Sequence, residues 1–577
     1  MTLRESPFSN PCARGLHCVA WALIFPCFWS LDCTVAVCKP TSYEKDQQEE
    51  ECCLRPVKLS LSFLLHLLLM IAFTPLALLG FLLWAPLQNA RRPFTYSQAR
   101  TKTGGTQQQE TWTGSAGGKG FGFVTANLCL LPESLARFNN LGHTKKRAEQ
   151  IASRVLQTSQ RPRLRVEVES PTSLAASVGS GSRSSLGPYP GPTLSLPPGL
   201  RHMDSSESSE ASSPGPLPPP DAPLTASQPG AALAPQSAGS LPPPGALLTP
   251  SQPGAAPARR TACTEQPDPR DLPLGEITAL FPPDVAFLCF QEVFDKRAAG
   301  LLRRHLEPCF PHTLSDVGVY AFQGGCSFKF LNSGMFVASR YPVLQANYTC
   351  FPSARGEDAL AAKGLLCVKV LVGRSDRGQR IVGYFSCTHL HATAEDSAVR
   401  QQQLDEVVDC VQLFLSSSRG PEEKVVFDVI CGDLNFDNCS QDDHLEQHHR
   451  LFNMYKDPCR ARPGQDKSWV VGTLLEQASM YDEPVNTPEN LQRTLENEET
   501  RRKYLALPIT PGFSDHLELG AAGNGRRIDY LLYREETVDS DVTTEVEEFS
   551  FITQLAGLTD HLPVGMRLYV SIEKGES

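Results

Sequence analysis

The sequence predicts an α/β fold that carries N-terminal hydrophobic membrane segments and a disordered insertion. Three observations predict it: short apolar runs that each stop at a polar residue, amphipathic helical stretches between them, and one long Pro/Ser/Gly-rich stretch. The polar stops are FVTANLCLLP with Asn127, FLCFQEVFD with Glu292, FSCTHLHA with His389, VICGDLNFD with Asp433 and Asn435, RRIDYLL with Asp529, and LTDHLPV with Asp560 and His561. Acids, amides and histidines at strand tips, brought together from distant parts of a chain, suit a divalent-metal phosphodiesterase site.

In chain order, two apolar segments come first. Leu16 to Leu31 is uncharged for 16 residues, interrupted by Pro26 and followed by Asp32. It falls short of the roughly 20 residues a spanning helix needs and reads as re-entrant, interfacial or signal-like. Leu59 to Leu87 is uncharged for 29 residues, with His66 and Pro75 inside, long enough to span or to kink and return. Residues 1–90 are thus expected to anchor the chain in a membrane, with a juxtamembrane collar over 91–118. Arg91 and Arg92 follow the second segment at once, so the positive-inside rule expects everything downstream to face the cytosol. Cys52 and Cys53 lie just before that segment, where cysteines are S-acylated or remain ordinary thiols.

The foldable remainder is 119–159 with 274–577. Between them, 160–273 is Ser, Pro, Gly and Ala with an imperfect repeat, LPPPDAPLTASQPGAALAP then LPPPGALLTPSQPGAAPAR. Such composition cannot offset its ordering entropy by burial, so disorder is expected. Because long loops cost little closure entropy, the stretch reads as an insertion within one domain. Strands are expected to end at Asn127 and Glu292, and to cover Asp316–Phe322, Asn332–Ser339, Lys363–Val372, Arg380–Leu390, Lys424–Asn435, Arg526–Tyr533 and Leu558–Val570. Helices are expected over Leu135–Leu156, Asp295–Leu306, Ser397–Leu415 and His444–Tyr455. The first of these carries Arg137, Lys145, Lys146, Arg147 and Arg154, a solvated basic face or one that attracts anionic lipid headgroups.

Composition narrows the function classes. Net charge is −10, which argues against a general nucleic-acid binder. The 19 cysteines are odd in number, lack CxxC pairs and fall in apolar runs, which suits reduced thiols rather than a disulfide framework.

The chemistry follows from residue types. Glu292 offers a hard oxygen ligand at a rigid strand end, suited to Mg²⁺ or Mn²⁺. Asp433 and Asn435 are two apart. On extended backbone both point to one face, the acid toward a water and the amide toward a phosphate oxygen; the same spacing also fits an Asx turn. His561 is the natural proton acceptor, with Asp529 as the carboxylate that orients it and Asp560 left for the metal. His389 is placed to donate to developing phosphorane charge, and His391 points the same way.

In this order the motifs resemble the endonuclease/exonuclease/phosphatase superfamily, the DNase-I-like fold. TANLCLLPESLAR, CFQEVFDKRAA, LNSGMFVASRYP, CTHLHATAEDSAVR, GDLNFDN and EEFSFITQLAGLTDHLPV more narrowly resemble the membrane-anchored neutral sphingomyelinases of vertebrates. The resemblance implies a four-layer α/β/β/α sandwich and Mg²⁺-dependent hydrolysis of sphingomyelin to ceramide and phosphocholine. It implies Glu292 as metal ligand with Asn127 and Asp560 near it, Asp433 with Asn435 positioning water and phosphate, His561 with Asp529 as base, and His389 on the phosphate. EDALAAKG supplies Asp358 and Lys363, which the resemblance marks as an active-site switch, and Asn332 becomes a substrate-side residue. It also implies a cytosol-facing site on Golgi, plasma membrane, endoplasmic reticulum or mitochondria, with anionic phospholipids as activators and no nucleic-acid partner. Cys326 in GGCS departs from the cysteine-richer pattern of some relatives. An inositol 5-phosphatase would show WxGDxN where this chain has VICGDLN. A nuclease and a lysophospholipase C-like enzyme share the fold and would use the same metal chemistry, and a membrane scaffold without activity would need none of it.

Overall fold

The computed structural model describes residues 3–41, 44–45, 55–99, 112, 118–159, 275–323, 327–476, 479, 482–485, 487–509, 524–536 and 539–572. The chain divides into two units, Met1–Arg165 with Pro267–Ser577, and Val166–Gln266. The second unit, the expected insertion, Cys52, Cys53 and Cys326 all lie outside the described residues.

Two helices open the first unit. α1 (Pro11–Cys38) is capped by Asn10, whose side chain accepts from the Cys12 N–H, and runs 28 residues rather than the short segment expected. Pro26 does not end it, and Asp32 is absorbed because its carboxylate accepts from the Ser134 N–H at 3.1 Å. α2 (Arg55–Leu87) runs 33 residues through Pro75. A Cβ on Gly80 would stand 2.7 Å from the Ala20 carbonyl oxygen, so glycine is what lets the pair close, with Trp84 edge-on to Trp21. Both helices are long and apolar enough to cross a membrane, and Leu61, Leu68 and Leu82 stay exposed.

The remaining layers are two stacked sheets. The larger has eight strands in the order β1 (Thr95–Gln98), β5 (His312–Ser315), β8 (Phe336–Ser339), β4 (Val285–Gln291), β2 (Lys119–Asn127), β17 (Val564–Ile572), β16 (Val542–Ile552) and β3 (Gly275–Thr278). The smaller has β15 (Asp529–Tyr533), β12 (Glu423–Asp433), β11 (Arg380–His389), β10 (Gly364–Arg374) and β9 (Val343–Cys350). Two short hairpins stand apart, β6 (Ala321–Phe322) with β7 (Phe328–Lys329), and β13 (Arg460–Arg462) with β14 (Gln465–Asp466). Phe121, Phe123 and Phe287 from the larger sheet meet Phe385 and Phe427 from the smaller, and each fully buried ring contributes about 1.5–3 kcal/mol. Outside the larger sheet, after the single turn α3 (Glu133–Ala136), α4 (Thr144–Ser159) and α5 (Lys296–Leu306) bury Ile151, Val155 and Leu302. α6 (Ser397–Ser418) covers the smaller sheet with Leu404, Val407 and Val411. The layering is the α/β/β/α sandwich expected.

Several boundaries differ from expectation, each for a local reason. Leu135–Leu156 is not one helix: Asn140 takes a left-handed φ of 56° after α3, and Glu133 then caps α4 by accepting from the His143 and Thr144 N–H groups. Arg137 and Arg147 do not form a solvated basic face; Arg137 pairs with Glu44, and Arg147 is buried against the carbonyls of Leu128, Cys129 and Leu558. Of the strand expected over Asp316–Phe322 only Ala321–Phe322 is extended, as β6, because Asp316 turns at φ 50° after β5. His444–Tyr455 forms two single turns, His444–Gln447 and Leu451–Met454. The expected collar supplies β1 to the larger sheet.

Candidate active site

The sheet registers align the expected residues. In the smaller sheet one rung reads His389, Asp433 and Asp529, the last residues of β11 and β12 and the first of β15. In the larger sheet the terminal rung of β2 and β4 pairs Asn127 with Gln291, and Glu292 follows. Asp560 and His561 precede β17, held by Thr559 Oγ1, which donates to the Asn127 carbonyl at 2.7 Å, and by the Leu562 N–H, which donates to Thr473. Asn127 bridges the sheets, its Nδ2 donating to Asp433 Oδ2 at 3.0 Å.

His561 Nδ1 lies 2.8 Å from Asp529 Oδ2. Burial pushes this imidazole down, but Asp529, with Asp433 and Asp560, pushes it up to about 10. His389 Nε2 is 3.5 Å from Asp433 Oδ2; burial, then the Lys363 charge, hold it well below the usual histidine range, so it is neutral. Burial and Asp529 push Asp433 up to about 6. Burial and repulsion from Asp560 push Glu292 up to about 7.

Glu292 is a non-glycine residue at φ 56°. A Cβ on Gly334 would meet its Cα and N at 2.9 Å, and the Val293 N–H donates to the Gly334 carbonyl at 2.7 Å. Glycine at 334 is thus required for the turn that aims this carboxylate.

A divalent ion fits this donor set. Asp433, Asp529 and His561 offer ligand atoms within 4.8 Å of one another, and Asp529 Oδ2 is taken by His561 Nδ1. Repulsion from Asp560 raises Glu292 and the Asn127 side chain hydrogen-bonds to it, so these three are further candidate ligands.

The remaining expected residues sit nearby with defined partners. Lys363 Nζ is 2.8 Å from Asp358 Oδ2 and donates to the Leu390 carbonyl. Asp358, pulled well below the carboxylate range against its burial by Lys363, also accepts from the Ala392 N–H. His391 does not join the rung: it lies between Asp358 and Asp396, at 3.1 and 2.9 Å. Asp433 and Asn435 are not an extended pair. The Asn435 N–H donates to Asp433 Oδ1, φ is 53°, and the side-chain amide donates to Leu390 O, which is the Asx turn. Asn332 accepts from the Gly334 N–H and donates to Asp316 at 3.4 Å.

Two residues of the site carry no signal in the sequence that would have found them. Thr473 Oγ1 accepts from the Ile528 and Asp529 N–H groups, locking the orienting acid, and VVGTLLE shows nothing to mark it. Asn139 donates to Asp560 from the turn that breaks the expected helix.

Residues 12–90 match the neutral sphingomyelinase N-terminal transmembrane region, and residues 264–561 match the endonuclease/exonuclease/phosphatase family. The chain is 46% identical to sphingomyelin phosphodiesterase 5 of Danio rerio and 44% identical to sphingomyelin phosphodiesterase 3 of Homo sapiens, with 100% of each chain covered. Sphingomyelinase C of Listeria ivanovii is 27% identical over 36% of this chain and 60% of that protein. The chain therefore belongs to the neutral sphingomyelinases, within the endonuclease/exonuclease/phosphatase family.

Proposed function

We propose that this chain is a membrane-bound phosphodiesterase that hydrolyses sphingomyelin to ceramide and phosphocholine. The observation that carries the reading is the hydrogen-bonded His561–Asp529 pair in the same acidic cluster as Glu292 and Asp560, downstream of two membrane-length helices. Full-length relatives named sphingomyelin phosphodiesterases support the substrate. Arg91 and Arg92 after α2 favour a site facing the cytosol, on Golgi, plasma membrane, endoplasmic reticulum or mitochondria. S-acylation of Cys52 and Cys53 and activation by anionic phospholipids belong to the same proposal.

Glu292, with Asn127 and Asp560, would hold Mg²⁺ or Mn²⁺, which would supply Lewis-acid polarisation of the phosphate oxygens and would offset part of the negative charge that raises His561. Asp529 fixes the Nδ1 proton of His561 and leaves Nε2 to accept a proton from water, which Asp433 orients. The water oxygen attacks phosphorus, the bond to the ceramide oxygen breaks, and the departing alkoxide takes a proton from solvent water to leave as ceramide. Neutral His389 donates to the oxygen that gains charge. Asn435 holds Asp433 through the Asx turn, and Asn332 faces the substrate side. Lys363, parked on Asp358, is the cation that movement of the 356–363 loop brings to the phosphate.

His561→Ala tests the base. Expected is a loss of about 10²–10⁴-fold in sphingomyelin turnover with unchanged membrane attachment. Full retained turnover contradicts the assignment.

A further inference from the structure

The membrane helices meet the catalytic layers around a cavity of about 1150 Å³. Small-molecule sites are roughly 300–1,000 Å³, so this one accommodates a large ligand. Trp21 and Phe25 of α1 and Phe81 of α2 form one side, and Phe294, Phe330 and Asn332 of the catalytic layers form the other.

We propose that this cavity receives the hydrocarbon chain of the lipid substrate while its phosphodiester reaches Glu292. The subsite rests on the functional reading above. Its position argues for the substrate over a passing bilayer lipid. Phe294 lies two residues beyond Glu292, and Asn332 accepts from Gly334, the residue that buttresses Glu292. The cavity wall thus includes Phe294 and Asn332, which flank the turn formed by Glu292 and Gly334. Leu61, Leu68 and Leu82, which are exposed on α2, do not line it.

The physical need is clear. A lipid headgroup reaches a recessed strand-tip site only if part of its chain leaves the bilayer, and each methylene exposed to water lowers the population about fourfold. Walls drawn jointly from the anchor and the catalytic layers remove that penalty. Phe330, 49% exposed, lies both on the cavity wall and at the protein surface.

Two measurements on the full chain in vesicles of phosphatidylcholine and sphingomyelin test this. The first compares kcat/KM for long-chain sphingomyelin with that for a chromogenic phosphocholine ester that lacks lipid chains. Ala77→Trp, on α2 and lining the cavity, is expected to lower the ratio of the two about tenfold, whereas Leu68→Trp on the outward face keeps the wild-type ratio. An unchanged ratio in Ala77→Trp overturns the subsite. The second, which needs no variant, irradiates wild-type protein with sphingomyelin carrying a diazirine in its acyl chain. Labels on peptides containing Trp21, Phe25 or Phe330 support the proposal. Labels confined to outward leucines, or cavity labelling by a diazirine anionic phospholipid but not by the sphingomyelin probe, overturn it. A wild-type chain that cleaves the chromogenic ester but never sphingomyelin instead sinks the functional reading.

Discussion

Glu292 and Asp316 each follow the last residue of a strand in the larger sheet, β4 and β5, and both strands pair with β8. Each turns there into the left-handed region, at φ 56° and 50°, a conformation that costs a non-glycine residue on the order of 1–2 kcal/mol. Their surroundings then diverge. Asp316 sits 2.6 Å from Arg91 and 3.4 Å from Lys296, and accepts from the Tyr320 hydroxyl at 2.6 Å. Burial pushes it up, but Arg91 and Lys296 pull it well below the usual carboxylate range. Glu292 has the like charge of Asp560 for a neighbour and rises to about 7. One backbone device thus serves two ends. The saturated acid ties the exit of the membrane helices to the catalytic layers, and the other acid faces a like charge.

The contrast is broken most directly by neutral isosteres. Glu292→Gln is expected to lower turnover by about 10³-fold or more, yet to leave the thermal midpoint of the metal-free chain unchanged or higher, because a repelling charge is removed. Calorimetry beside a turnover assay reads both.

Asp316→Asn is expected to behave in the opposite way. It leaves Arg91 and Lys296 facing each other without their acid. The stability loss is about 2–3 kcal/mol, less than the roughly 3–5 kcal/mol of a fully buried pair because Asp316 is 20% exposed and Lys296 36%. Chemical denaturation of the solubilised chain measures it, and hydrolysis of a chain-free phosphocholine ester reports that the site survives. An unchanged midpoint would show the junction to be ornamental.

A smaller effect is the pH dependence of the same junction. The folded-state pKa of Asp316 is depressed, so its contribution is fully present above the ordinary carboxylate value of about 3.9 and is lost as pH falls below it toward the folded value. Wild-type stability is therefore expected to fall more steeply below pH ~4 than that of Asp316→Asn, in denaturation midpoints taken at successive pH values. Parallel curves would contradict the pairing.

Much of this was legible because polar residues that end apolar runs have few structural reasons to be there. Asn127, Glu292, His389, Asp433, Asp529, Asp560 and His561 all announce themselves in that way, and α5 and α6 follow from amphipathic spacing capped or preceded by Asp295 and Asp396. What stayed hidden depends on partners far along the chain. Arg91 reads as a topology signal, yet it is buried against a carboxylate 225 residues away. Thr473 reads as filler until β15 arrives beside it. The backbone reversals at Glu292, Asp316 and Asn435 were invisible because φ is set by what the turn must reach, and an Asp-x-Asn spacing fits both an extended pair and an Asx turn. β9 and β16 went unread, although both alternate buried and less buried positions along much of their length.

We propose that a divalent cation is held between Glu292 and Asp560. Isothermal titration of Mg²⁺ into the solubilised full chain, with and without Glu292→Gln, tests it most directly. One ion per wild-type chain, with affinity lowered at least about tenfold in the variant, is the predicted result. Equal binding in both proteins would contradict it.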